Sequence, residues 1–145
     1  MPIPTPEPGL VIRYSYLWHS EYEQGREEGD KDPPCAIILT AVDEGGETVV
    51  TVLPVTHTSP QPGDDAVELP LVTKRRLGLD EARSWVVVNE INRFVWPGFD
   101  LRRVSPGGDG RFDYGLLPPG LYRTIRERFL ICARAQRLKV VPRTE

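Results

Sequence analysis

The sequence predicts a mainly β fold, a small compact barrel of short strands closed by one C-terminal helix. Short apolar runs of strand length, rich in Val, Ile, Thr and aromatic residues, recur between Gly, Pro and Asp punctuation. They are too few and too short to make two packed sheets. A single late segment instead carries apolar residues at helical spacing. With 145 residues and 39% hydrophobic content, the chain has the size of one domain with a real core.

Pro2, Pro4, Pro6 and Pro8 preclude regular structure at the start, so residues 1–8 read as an extended arm and residues 9–140 as the domain. Leu10 to Trp18 is β-branched and aromatic and reads as the first strand. Ser20 to Asp32 holds six carboxylates and two glycines without an apolar period, the mark of a mobile acidic loop. Cys35 to Thr40 is continuously apolar, as a strand covered on both faces would be, and Asp43-Glu44-Gly45-Gly46 is a hairpin turn leading into a strand from Thr48 to Val55. Pro60 to Asp65 breaks the chain; Ala66 to Leu71 reads as a short strand and Leu79 to Arg83 as a single helical turn. Trp85 to Val88 and Ile91 to Trp96 are two more short strands before the Pro97-Gly98 turn. After Pro118-Pro119-Gly120, residues Leu121, Tyr122, Ile125, Phe129, Ile131 and Cys132 form the stripe that docks the helix on the barrel.

Charge is divided unevenly along the chain. Residues 1–72 carry 13 acidic against 3 basic side chains, residues 73–145 carry 8 against 15, and the net charge is −3. The segment from Leu121 to Lys139 has six basic residues against Glu127 alone. Such asymmetry fits a polyanionic ligand such as RNA; charge alone favours the other reading, arginines that solvate the fold and suit the helix C-terminus. No apolar run approaches the ~20 residues of a membrane span, and Met1 to Pro8 lack the basic start and apolar middle of a signal peptide. A cytoplasmic protein without membrane association is expected. Cys35 and Cys132 have no metal-ligand spacing around them and read as reduced core thiols.

The order Gly9-Leu10-Val11-Ile12, Pro34-Cys35-Ala36-Ile37-Ile38-Leu39, a hairpin, Leu53-Pro54-Val55-Thr56-His57-Thr58 and a terminal helix resembles the PemK/MazF-type toxins of bacterial toxin–antitoxin systems. Ser84-Trp85-Val86-Val87-Val88-Asn89-Glu90 is similar to a segment of PemK-like proteins. The resemblance runs roughly from Pro8 to Ala133. It implies an SH3-like barrel with a C-terminal helix, a homodimer, and a metal-independent endoribonuclease that cuts single-stranded RNA, needs no cofactor and is neutralised by an antitoxin protein.

Cutting RNA without a metal means that the 2′-hydroxyl attacks the adjacent phosphate, so the protein must take one proton, allow another to reach the leaving oxygen and stabilise the phosphorane. By resemblance, an arginine and a threonine or serine do this. The threonine position matches Thr56, whose hydroxyl would donate to a phosphate oxygen, with His57, Thr58 and Ser59 beside it as substrate contacts. Strict strand alternation would turn Thr56 and Thr58 to one face and His57 to the other, where the imidazole would serve the fold or a dimer contact. The arginine position, just before the Pro-x-hydrophobic strand, holds Pro33. Lys31 and Arg26 are the nearby cations that would replace it, although lysine lacks the planar fork that grips two phosphate oxygens. Two readings follow: an active endoribonuclease using Thr56 with Lys31 or Arg26, or a catalytically impaired relative that binds RNA, an antitoxin or another protein without cleavage. Trp18, Trp96 and Phe99 are candidates for the dimer interface, or core residues.

Overall fold

A computed structural model describes residues 3–23, 32–98, 100–104 and 110–143. Its elements are β1 (Leu10–Tyr14), α1 (His19–Glu23), β2 (Pro34–Val42), β3 (Thr48–Thr56), β4 (Ala66–Glu68), α2 (Leu71–Leu77), β5 (Trp85–Val87), β6 (Glu90–Val95), β7 (Leu101–Arg102), β8 (Asp113–Leu116), α3 (Pro119–Arg134) and β9 (Lys139–Pro142). The protein is therefore mainly β with a C-terminal helix. Among the described residues, no helix is long and apolar enough to cross a membrane.

The strands form one sheet in the order β4-β5-β3-β2-β1-β7, with β6 paired to β3, β8 to β1 and β9 to β6. Pairing is antiparallel except between β6 and β9. The long strand β3 branches: Val49 to Val52 lie beside β6, whereas Val55 and Thr56 lie beside β5. Alternate residues of the central strands feed two cores. Val11, Ala36, Ile38 and Leu53 face one side with Ile125, Phe129 and Cys132 of α3. Ile12, Cys35, Ile37 and Val52 face the other with Tyr14, Phe94 and Leu101. Burial on both faces accounts for the apolar run from Cys35 to Ile38, whereas Leu39 and Thr40, expected to be covered as well, are exposed with the rest of β2 to Val42. Tyr14 and Phe94 stack at 4.3 Å in the second core. The turn before β3 is held by Asp43, whose Oδ1 accepts the Gly45 and Glu47 amides, each at 2.9 Å, while Gly46 takes φ 82 at no steric cost.

Several expected boundaries change. The first strand ends at Tyr14, because Ser15 to Trp18 turn away to meet β6: Asn92 Oδ1 accepts the Leu17 amide at 2.9 Å and its Nδ2 donates to the Leu17 carbonyl at 2.8 Å. Part of the expected acidic loop, Ser20 to Glu23, is helical, with Glu21 accepting the Trp18 amide at 3.1 Å. The strand expected from Ala66 to Leu71 stops at Glu68, and Leu71 begins a helix instead, entered through Pro70 and ended by Gly78 in the left-handed region. Leu79 to Arg83 form no helix. Strands β7, β8 and β9 are additions, each two to four residues long and stabilised by partners remote in sequence. In α3 the inward stripe is Ile125, Phe129 and Cys132, while Ile131 is 54% exposed.

Candidate functional site

The ends of β2 and β3 open into a cleft of 720 Å³. Thr56, the last residue of β3, is half-buried on its wall, and the chain then bends so that His57, Thr58 and Ser59 also line it. Strand alternation therefore does not govern His57, which lies beyond the last strand residue. The bend is fixed locally, as Thr56 Oγ1 accepts the Thr58 amide at 3.1 Å. That bond uses a lone pair and leaves the hydroxyl proton to donate.

The pairing of Cys35 with Pro54 and of Ala36 with Leu53 carries Pro33 to a place across from Thr56. Pro33 lines the cleft and brings neither charge nor a side-chain donor. Arg26 and Lys31, the expected replacements for an arginine here, lie outside the described residues, as does Phe99. Trp18 lines the cleft, and Trp96 donates its indole N–H to the Pro4 carbonyl at 3.1 Å.

Beside His57 stands a polar cluster that sequence reasoning missed. His57 Nε2 lies 2.9 Å from Asp80 Oδ2 and 3.1 Å from Oδ1. Asp80 Oδ1 also accepts the Lys74 ammonium at 2.8 Å and the Ala82 amide at 3.1 Å. The ammonium further donates to Ser84 Oγ at 2.6 Å and to the Ala82 carbonyl. Local geometry builds this. Gly78, at φ 73, closes α2 by donating to the Arg75 carbonyl, and Leu79 donates to the Lys74 carbonyl at 2.9 Å, so the chain folds back over Lys74 and delivers Asp80 to it. The Lys74 hydrogen bond is the main cause that holds the Asp80 carboxyl below its usual range; desolvation opposes it, and the His57 hydrogen bond adds to the lowering. Asp80 is thus an ionised acceptor, His57 Nε2 carries the hydrogen, and the Nδ1 lone pair is the basic one in the neutral ring. In the structure Lys74 lies on the inward face of α2 with buried Thr73 and Leu77, a placement that the sequence, read as a strand up to Leu71, did not signal.

Further along the cleft lies Glu90, 8% exposed. Its Oε2 accepts the Tyr16 hydroxyl at 3.1 Å and the His19 amide at 2.9 Å. Burial raises its carboxyl above the usual range, and those two donors only partly offset the effect. Burial likewise raises the Tyr16 hydroxyl, with the Glu90 charge reinforcing it. Glu21, Asp32, Asp64 and Asp65 add further carboxylates to the lining, of which Asp65 meets Arg137 at 2.7 Å and Asp32 lies 3.7 Å from Arg13. Among the described residues, no arginine lines the cleft, and no group of three or more His, Cys, Asp or Glu side chains is arranged to hold a metal ion. The exposed side of α3 is basic, through Arg123, Arg126, Arg128 and Arg134. No family model matches the chain, and no curated protein matches it.

Proposed function

We propose that this chain is a PemK/MazF-type toxin: an SH3-like barrel, dimeric and cytoplasmic, that cuts single-stranded RNA without a metal and is held in check by an antitoxin protein. One observation carries the reading. Three hydroxyl residues, Thr56, Thr58 and Ser59, flank an imidazole that an ionised carboxylate orients, all at one cleft where two strands end. His57 takes the 2′-hydroxyl proton on Nδ1 while Nε2–H stays on Asp80, and the imidazolium that forms is stabilised by that carboxylate. The 2′-oxygen bonds to phosphorus, and the Thr56 hydroxyl donates to a phosphate oxygen as charge builds there. The bond to the 5′-oxygen then breaks, and that oxygen is protonated by water in the open cleft. The products are a 2′,3′-cyclic phosphate and a 5′-hydroxyl. Lys31 or Arg26 supplies the cation that Pro33 does not.

Pro33 itself favours the second reading, a family relative that binds RNA or an antitoxin without cutting. One experiment separates the two. Purified protein is incubated with single-stranded RNA in EDTA, alongside Thr56→Ala, His57→Ala and Pro33→Arg. Cleavage by the parent, with a 2′,3′-cyclic phosphate end, and a loss on the order of a hundredfold or more in the first two variants is the expected result. An inert parent that gains cleavage on Pro33→Arg would establish the non-cleaving reading instead.

A further inference from the structure

We infer that Lys74 is a positioning residue for His57, acting through Asp80; its catalytic consequence rests on the cleavage reading, while its structural content does not. Among the described residues Lys74 and Lys139 are the cations that line the cleft, and of the two Lys74 stands beside His57 and Asp80, where a phosphate-binding cation would be looked for. Its hydrogen bonds argue otherwise. An ammonium has three protons, and three acceptors take them: Asp80 Oδ1, Ser84 Oγ and the Ala82 carbonyl. The side chain is 2% exposed, so a desolvated charge is held where no donor remains for a substrate. Arg75 and Arg76, the next residues on the same helix, are exposed, and the burial of Lys74 is thus particular to its position.

Asp80 is the opposite case. Its side chain is 57% exposed, so packing constrains its rotamer little. What fixes it is Oδ1, shared by the Lys74 ammonium and the Ala82 amide. Oδ2 is then turned toward His57 and makes the shorter of the two contacts with Nε2. His57 is in turn 60% exposed, and among the described residues this carboxylate is the hydrogen-bond partner of its ring. Orientation therefore passes from a buried, saturated cation through a surface carboxylate to a surface imidazole. A lysine serving only to tie α2 to the following loop would hold Ala82 and Ser84 and leave the imidazole indifferent to its loss.

The test is the side-chain NMR of ¹⁵N-labelled protein at low temperature. In the parent, His57 Nε2–H gives a downfield proton resonance, as a ring N–H donating to a carboxylate does. Asp80→Asn serves as the reference in which the charged acceptor is gone. Lys74→Met keeps the length of the stem and removes the ammonium; it should lose the resonance while backbone amides outside residues 78–84 stay in place. Lys74→Gln, with a neutral donor, should move it upfield, and that variant decides the matter if the methionine variant does not fold. An unchanged resonance in either folded Lys74 variant, or its absence from the parent, overturns the inference. RNA cleavage, measured in parallel, should fall on the order of a hundredfold in kcat for Lys74→Met with KM little changed. If the parent cuts no RNA, the cleavage reading fails alone and the resonance still decides the role of Lys74.

Discussion

Replacing Arg143 with alanine should destabilise the protein by about 3 kcal/mol, near the lower end of the usual cost of breaking a buried ion pair. The side chain is 3% exposed, and its guanidinium donates to the Ser15 carbonyl at 2.6 Å, to Asn92 Oδ1 at 3.1 Å and to Asp100 Oδ2 at 2.6 Å. It also lies over the Tyr14 ring at 5.3 Å. Truncation leaves the Asp100 carboxylate, 10% exposed, with Arg102 at 3.5 Å as a weaker partner, and that residual pairing sets the lower figure. Two of the lost bonds anchor Ser15 and Asn92, which hold the segment leading to Trp18 at the cleft, so the wall of the site should loosen as well. Urea unfolding followed by tryptophan fluorescence reads the effect: with a slope of about 2 kcal/mol/M, the midpoint falls by about 1.5 M. The double variant Arg143→Met, Asp100→Leu removes both charges and should recover much of the loss. A fall below about 1 kcal/mol for Arg143→Ala would show that the pair is not the clasp described and would refute the reasoning.

Glu90→Gln should change how stability varies with pH. Burial raises the Glu90 carboxyl, so the folded state keeps a proton that the unfolded chain has released. Its contribution is present below the ordinary glutamate range and is lost as pH rises through the raised value. Glutamine remains neutral and still accepts from Tyr16 and His19, so the gap in urea midpoint should grow in favour of the variant from about pH 4 to about pH 8; a constant gap would contradict this. Phe129→Ala removes a ring 3% exposed between α3 and the sheet and should cost about 3–5 kcal/mol by the same unfolding assay. Cys35 and Cys132 are 0% and 1% exposed, and burial raises both thiols. Neither should react with a thiol-specific chromophore in native buffer, both should react in denaturant, and fast native labelling would contradict their place in the core.

The elements legible in the sequence were those with a strong local pattern. β2 announced itself by an apolar run, buried from Cys35 to Ile38, α3 by its punctuation and its stripe of Ile125, Phe129 and Cys132, and the β2–β3 turn by Asp43 and two glycines. The short α2 was hidden because Leu71, Val72 and Thr73 carry a strand-like composition; Pro70 before it and Gly78 after it were the helix signals that the local reading passed over. β7, β8 and β9 have no pattern of their own length to show, since two to four residues become a strand only when β1 or β6 supplies the partner.

The site divides in the same way. Thr56 to Ser59, contiguous at a strand end, were picked out from local chemistry and family order, and Pro33 from its place one strand earlier. His57 was assigned a face by alternation along a strand that in fact stops one residue before it. Asp80 and Lys74 were invisible as site residues, being 23 and 17 positions from His57 and meaningful only once Gly78 folds the chain back. By itself, then, the sequence determined the mainly β class, the terminal helix, the buried central strand and the hydroxyl–imidazole run, because each follows from periodicity or turn chemistry within a few residues. Tertiary structure alone decided that a buried ammonium, a surface carboxylate and the imidazole meet at one cleft, because electrostatic pairing depends on separation in space and on desolvation, and neither is written in the order of residues.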